Sequence, residues 1–238
     1  MNTYFNEITS KPVNTYDGKI VYKIPAGAMC GNGDIGTVFD NDDKDLFIHI
    51  SKCDFWKFSP GAHGEGGIKT VGKLIIRNVD LSDYNIKQYF DKGLLDCRFG
   101  KVGAEFFVAP DNLIYFEIKV PETEEIPDVD IEIPDTCGSK NSIYTESDVR
   151  CFVRRFEGEE LERNSAVIAC LRKTGEALSD GYKYARFCVS VVTNFDDENY
   201  CEKALSLALT CDYDRDKAKT PEEKVQIMHD CLSTDYFI

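Results

Sequence analysis

The chain has 238 residues, 42% hydrophobic and 29% charged, with 28 basic against 42 acidic residues and a formal net charge of −14. That balance excludes the clustered lysine and arginine on which binding to nucleic acid or an anionic membrane depends. No apolar run approaches the roughly 20 residues needed to span a bilayer, and the opening MNTYFNEITSKPV lacks a basic start followed by an apolar stretch, so a cytoplasmic location is expected. None of the ten cysteines forms a C-x-x-C pair; zinc ribbons and thioredoxin-like redox sites are unsupported, and reduced, mostly buried thiols are expected. No metal and no cofactor is expected.

Most of the chain reads as short β-type runs separated by turn residues. Residues 37–39 and 46–50 flank the polar segment 40–45, which suits a hairpin turn. A calcium loop is excluded there, because Lys44 stands at a ligand position and Asp45 where glycine is needed. Residues 71–76 follow a glycine-rich loop at 59–67, and further strands are expected at 84–90, 94–99, 104–109 and 113–120. Segment 121–134 is acidic and holds three prolines, which predicts an edge strand or an exposed connection, since proline cannot donate to a sheet ladder.

The strand pattern resumes at 153–157, 165–171 and 184–193. An amphipathic helix is expected over 198–210, with Cys201, Ala204, Leu205, Ala208 and Leu209 on one face. A second begins at Thr220, where Pro221 suits the first helical position and Glu223 completes a capping box; it carries Val225, Met228 and Leu232 inward. Regular short strands followed by one or two C-terminal helices predict a mainly β fold, a sandwich or barrel.

The segment Gly31-Asn32-Gly33-Asp34-Ile35-Gly36 fits G-x-G-x-x-G. That fingerprint requires a helix directly after the glycines, to set its N-terminus against a pyrophosphate. Here strand, turn and strand follow, and Asp54 lies beyond a hairpin rather than at the end of a second parallel strand. The nucleotide reading therefore fails.

What remains is a glycine-dense loop with Asn32 and Asp34, followed by Ser51-Lys52-Cys53-Asp54-Phe55-Trp56, which holds the only tryptophan. An indole offers a flat apolar face to a pyranose ring, and short carboxylates and amides can hold paired hydroxyls. Asn32, Asp34, Asp54 and Trp56 are thus candidate carbohydrate-binding residues. His63 and Glu65 join them as polar contacts from a glycine-rich lip. Bland alternatives stand beside each: Asn32 and Asp34 as turn formers, Trp56 and Phe55 as core, the 59–67 loop as an exposed connection. His49 reads as a strand residue and His229 as exposed on the last helix. A pair of catalytic carboxylates cannot be nominated among 42 acids.

GNGDIG, followed by ISKCDFW, resembles the N-terminal domain of bacterial glycoside hydrolases that join a β-supersandwich to an α/α six-fold barrel, of the alpha-L-fucosidase and maltose-phosphorylase kind. Residues 71–76 and 84–99 resemble strands of that domain, and FCVSVVTNFDDENYCEKALSLA its last strand and exit helix; the likeness runs over about residues 17–211. Where that family commonly carries asparagine, this chain has Cys53. The resemblance implies a large antiparallel, galactose-mutarotase-like β-sandwich over 1–211, with 212–238 as a helical tail or linker toward a barrel. Catalytic carboxylates would lie in that barrel, which the chain stops short of. A non-catalytic domain packing on a barrel is expected, with a free-standing carbohydrate-binding module as the alternative. An aldose-epimerase-like enzyme, drawing acid and base from His63, Glu65 or His49, is the third reading.

Overall fold

The structure is a computed structural model and describes residues 2–5, 11–14, 20–24, 27–57, 67–133, 138–156 and 165–219. The glycine-rich lip with His63 and Glu65, the helix expected from Thr220 and His229 lie outside them. In chain order the strands are β1 (Asn2–Phe5), β2 (Lys11–Asn14), β3 (Ile20–Ile24), β4 (Met29–Gly31), β5 (Ile35–Asn41), β6 (Leu46–Lys57), β7 (Gly67–Ile76) and β8 (Tyr84–Tyr89). There follow β9 (Leu94–Phe99), β10 (Val102–Ala109), β11 (Leu113–Pro121), β12 (Val129–Glu132), β13 (Lys140–Glu146), β14 (Val149–Arg155), β15 (Ala166–Ser179) and β16 (Tyr182–Thr193), then helices α1 (Tyr200–Thr210) and α2 (Tyr213–Lys217).

Two antiparallel sheets make the sandwich. Nine strands run in the order β1-β8-β9-β10-β11-β16-β15-β14-β13, five in the order β12-β7-β6-β5-β4, and β2 pairs with β3 apart from both. The expected large antiparallel β-sandwich is what the chain forms. The acidic, proline-bearing segment supplies β12, an edge strand on β7. The polar segment after β5 closes a hairpin, with Asn41 opposite Leu46 and the Asp42 carboxylate accepting from the backbone N–H of Lys44 and Asp45 at 2.9 and 2.8 Å.

Alternation places the core. On β6, Leu46, Ile48 and Ile50 are buried while Phe47 and His49 are half-buried, as a sheet with one face on the core requires. The nine-stranded sheet is different, because its central strands are covered on both faces. On β16, Ala185, Phe187, Val189 and Val191 turn into the main core, whereas Val192 packs under α1 and Cys188 beside α2. Stretches 113–116 of β11 and 166–171 of β15 therefore read as continuous apolar runs. Phe106 joins the two sheets, edge-on to Phe39 of β5 at 5.3 Å and stacked on Phe116 of β11 at 6.4 Å.

One expectation needs correction. Helix α1 buries Ala204 and Ala208, but Leu209 is 38% exposed and Leu207 takes its place against the sheet: the helix rotates to set small residues where backbone approaches backbone. A five-residue helix, α2, follows at once, and its Tyr213 and Asp216 are buried on the sheet, so residues within the expected tail pack on the sandwich. Of the eight described cysteines, all thiols, Cys97, Cys151, Cys170 and Cys188 are buried, while Cys30, Cys201 and Cys211 are half-buried and Cys53 exposed. Strand β13, exposed along its whole length, carried no burial signal in the sequence.

Phe106→Ala is expected to lower stability by about 3–5 kcal/mol, the usual range for an aromatic removed from a core. Urea unfolding checks it, with a lower midpoint and an unchanged slope.

Candidate functional site

The GNGDIG segment is a β-hairpin. Gly31 and Gly36 face each other across β4 and β5, and Asn32 donates its backbone N–H to the Ile35 carbonyl at 3.1 Å. Gly33 lies at φ 97°, in the left-handed region, and a Cβ on Gly31 would stand 2.6 Å from the Ile35 carbonyl oxygen. These glycines serve a tight turn and a close strand pair. Asn32 is fully buried. Its side-chain oxygen accepts from the N–H groups of Asp34 and Ile35 at 3.0 and 2.8 Å, and its amide nitrogen donates to Ala109 O on the opposite sheet at 2.9 Å. Asn32 thus ties the turn to the nine-stranded sheet.

The turn aims Asp34 at Lys52. Lys52 continues the buried face of β6 after Leu46, Ile48 and Ile50, and is only 1% exposed. Its ammonium donates to Asp34 Oδ1 and Oδ2 at 2.7 and 2.6 Å, and lies 3.2 Å from Asp54 Oδ1 and from the Asp196 carboxylate. Asp196 comes from the turn after β16: its carboxylate accepts from the Thr193 N–H at 2.8 Å, while the Thr193 hydroxyl donates to Asp54 Oδ2 at 2.6 Å. The cluster therefore clamps one sheet to the other.

One ammonium faces three carboxylates. Burial by itself would lower the Lys52 pKa, but Asp54, Asp196 and Asp34 outweigh it and hold the group well above the ordinary lysine value. Asp54 bears the surplus. Burial raises its pKa above 3.8, against the opposing pull of Lys52 and the Thr193 hydroxyl, and its Oδ1 makes no hydrogen bond. The carboxylates form the outer layer, with side chains 14%, 26% and 19% exposed for Asp34, Asp54 and Asp196. Exposed Cys53 leans on this layer, 3.0 Å from Asp34 Oδ1, and burial of its thiol together with Asp34 pushes its pKa up to about 12. Asp34, Cys53 and Asp54 bring ligand atoms within 4.8 Å of one another, yet a divalent ion there would have to displace the Lys52 ammonium, which already serves as the cation. The residues do not fit a metal centre.

Trp56 follows on β6. It is half-buried, donates its backbone N–H to the Ser165 hydroxyl at 3.2 Å, and lies nearly parallel to Phe195 at 6.5 Å and 13°. The adjacent Phe55 is fully buried, stacked on Phe156 at 5.4 Å. Asp34, Asp54 and Trp56 thus share one region, with Asn32 beneath it. His49 lies on the same strand but turns its Nε2 toward Asp40 Oδ2 at 3.5 Å.

Reading by residue type missed Lys52, Thr193, Phe195 and Asp196. For Lys52 a signal existed: the period-2 face of β6 puts a lysine where the pattern asks for an apolar residue. For Asp196 the only hint was that FDD follows a buried strand.

No protein-family model matches the chain, and no curated protein matches it. Its fold is similar to that of a solved structure described as a kojibiose phosphorylase from the human microbiome, with a TM-score of 0.54 and 11% identity, over 84% of this chain and 32% of that one. At that identity the likeness concerns the fold. The chain spans about a third of that protein's length. Among the described residues no helix is long and apolar enough to cross a membrane.

Lys52→Met is expected to lower stability by about 3–5 kcal/mol at neutral pH, because three carboxylates lose their cation. The wild-type advantage has a pH limit. A lysine whose folded pKa is raised contributes fully below its unfolded value of 10.5 and loses that contribution as pH climbs toward the folded value. Urea midpoints of both proteins between pH 7 and 11.5 should therefore differ by a constant amount up to about pH 10.5 and converge above it.

Proposed function

We propose that this chain is a non-catalytic β-sandwich domain of a carbohydrate-processing enzyme, packing on a catalytic barrel and lending the Asn32 to Trp56 region to a sugar site. One observation carries the proposal: the two motifs through which the sequence most specifically resembles such domains, GNGDIG and ISKCDFW, meet at Lys52, where the turn after the last resembling strand adds Asp196, 144 positions from Lys52. The fold likeness to a phosphorylase of which this chain spans 32% supports a division of labour between the sandwich and the rest of such an enzyme.

Within that reading, the residues take different parts. Asp54 is the primary acceptor for sugar hydroxyls, because its side chain is the most exposed of the three carboxylates, 26% against 14% for Asp34 and 19% for Asp196. Asp34 carries two bonds from the ammonium and holds the geometry. Asn32 sets the hairpin from beneath. Trp56, backed by Phe195, offers an apolar ring face beside the carboxylates. His63 and Glu65, outside the described residues, are proposed as further polar contacts on their residue types alone.

Trp56 is the only tryptophan, so its emission reports this site alone. Titration of the 238-residue chain with a panel of mono- and disaccharides is expected to change that emission saturably for at least one sugar. Trp56→Ala, followed by calorimetry, should weaken the same sugar tenfold or more, about 1.4 kcal/mol. Flat emission at saturating concentrations across the panel removes the sugar-binding part of the proposal and leaves the domain a scaffold.

A further inference from the structure

Five of the eight described cysteines lie on the side of the nine-stranded sheet that α1 and α2 cover. Cys151, Cys170 and Cys188 are buried on the sheet, Cys201 is on α1, and Cys211 directly follows it. None of them touches the Lys52 cluster, and the inference that follows stands independently of the proposed function.

Cys211 differs from the others in its surroundings. It lines a surface cavity of about 460 Å³ between the end of β15 and α2, alongside Arg186, Thr210, Asp212 and Tyr213. The buried Cys188 of β16 lies behind it in the same apolar cluster. Arg172 of β15 caps α1 with bonds to the Ala208 and Leu209 carbonyls at 3.1 and 2.9 Å, and the Cys211 thiol donates to the same Ala208 carbonyl at 3.3 Å. A reachable thiol with a cation beside it and a second thiol behind it is the arrangement of a reactive and a resolving cysteine.

We infer that Cys211 is a thiol-modification site taking low-molecular-weight disulfides such as oxidised glutathione, and that Cys188 resolves the adduct into an internal disulfide. The Cys211 thiolate attacks one sulfur of oxidised glutathione, forming a mixed disulfide and releasing one glutathione thiolate. The Cys188 thiolate then attacks Cys211 Sγ, forming the Cys188–Cys211 bond and releasing the second. Two protein thiols are oxidised and one glutathione disulfide is reduced to two thiols, the two protons lost by the protein ending on the released glutathione thiolates. The product pins the end of α1 to β16, directly before α2.

The electrostatics favour this order of events. Hydrogen bonding from Cys188 lowers the Cys211 pKa to about 7; burial and Asp216 of α2 oppose, while Arg172 and the Tyr115 hydroxyl of β11 assist. Exposed Cys53 is held up at about 12. Near neutral pH the gap in thiolate fraction is about four orders of magnitude, of which about two are returned through the lower nucleophilicity of the more acidic thiol.

The test is mass-spectrometric peptide mapping of the intact reduced chain during exposure to iodoacetamide, then to oxidised glutathione. Cys211 is expected to be alkylated at least tenfold faster than Cys53 at pH 7.5, although Cys53 is the more exposed. Glutathione treatment should yield a linked Cys188–Cys211 peptide, and Cys188→Ser should stop at a glutathione adduct on Cys211. Cys53 reacting faster than Cys211, or wild-type protein retaining glutathione on Cys211 with Cys188 still a thiol, overturns the inference. Both readouts on the wild-type chain are independent of whether the variant folds.

Discussion

A lysine ammonium buried between two sheets is the constraint around which this domain is arranged. Lys52 sits at a core position of β6 and is 1% exposed, where an unpaired charge would be prohibitive. It is tolerable only because Asp34, Asp54 and Asp196 arrive together. Each arrival depends on something else: Asp34 on a glycine hairpin held by Asn32, Asp196 on the turn fixed by Thr193. Apolar side chains in place of the lysine and all three carboxylates could fill the same volume at no loss of stability. What the lysine adds is register. A one-residue slip of β6 would carry it to the other face and leave the carboxylates without a cation.

The same cluster shows how a structural device and a recognition surface coincide. Apart from Asp54 Oδ1 the inner atoms are satisfied by one another, and the three carboxylate side chains are partly exposed on the side of the cluster near the Trp56 and Phe195 pair. Three acids around one cation leave net negative charge, and Asp54, lifted by burial, is where it is least compensated. A neutral polyhydroxyl ligand suits such a rim better than an anion does, because it brings donors without adding charge.

At the opposite side of the nine-stranded sheet, the helices do different work. Helix α1 presents Ala204 and Ala208, so the Ser190 hydroxyl can reach the Ala204 carbonyl at 2.7 Å. Helix α2 follows, its Asp216 accepting from the Tyr115 hydroxyl at 2.7 Å. These bonds convert the outward face of β11 and β16 into a second core, and they bring Cys211 over Cys188.

Sequence alone determined the fold class, because period-2 runs bounded by Gly, Asp, Asn and Pro admit little else, and it rejected the nucleotide fingerprint, because a strand follows Gly36. It also brought forward Asp34, Asp54 and Trp56, through residue chemistry and resemblance. It could not decide that Asn32 faces inward, since an Asx turn is written the same way whether its amide meets solvent or the opposite sheet. Leu209 pointed inward by periodicity, yet close packing of α1 on the sheet selected the alanine face instead. The Lys52 cluster was settled by tertiary structure alone: its members come from β6 and two turns, the later of which places Asp196 144 positions from Lys52, and the charge balance that makes a buried lysine stable exists only once those turns meet.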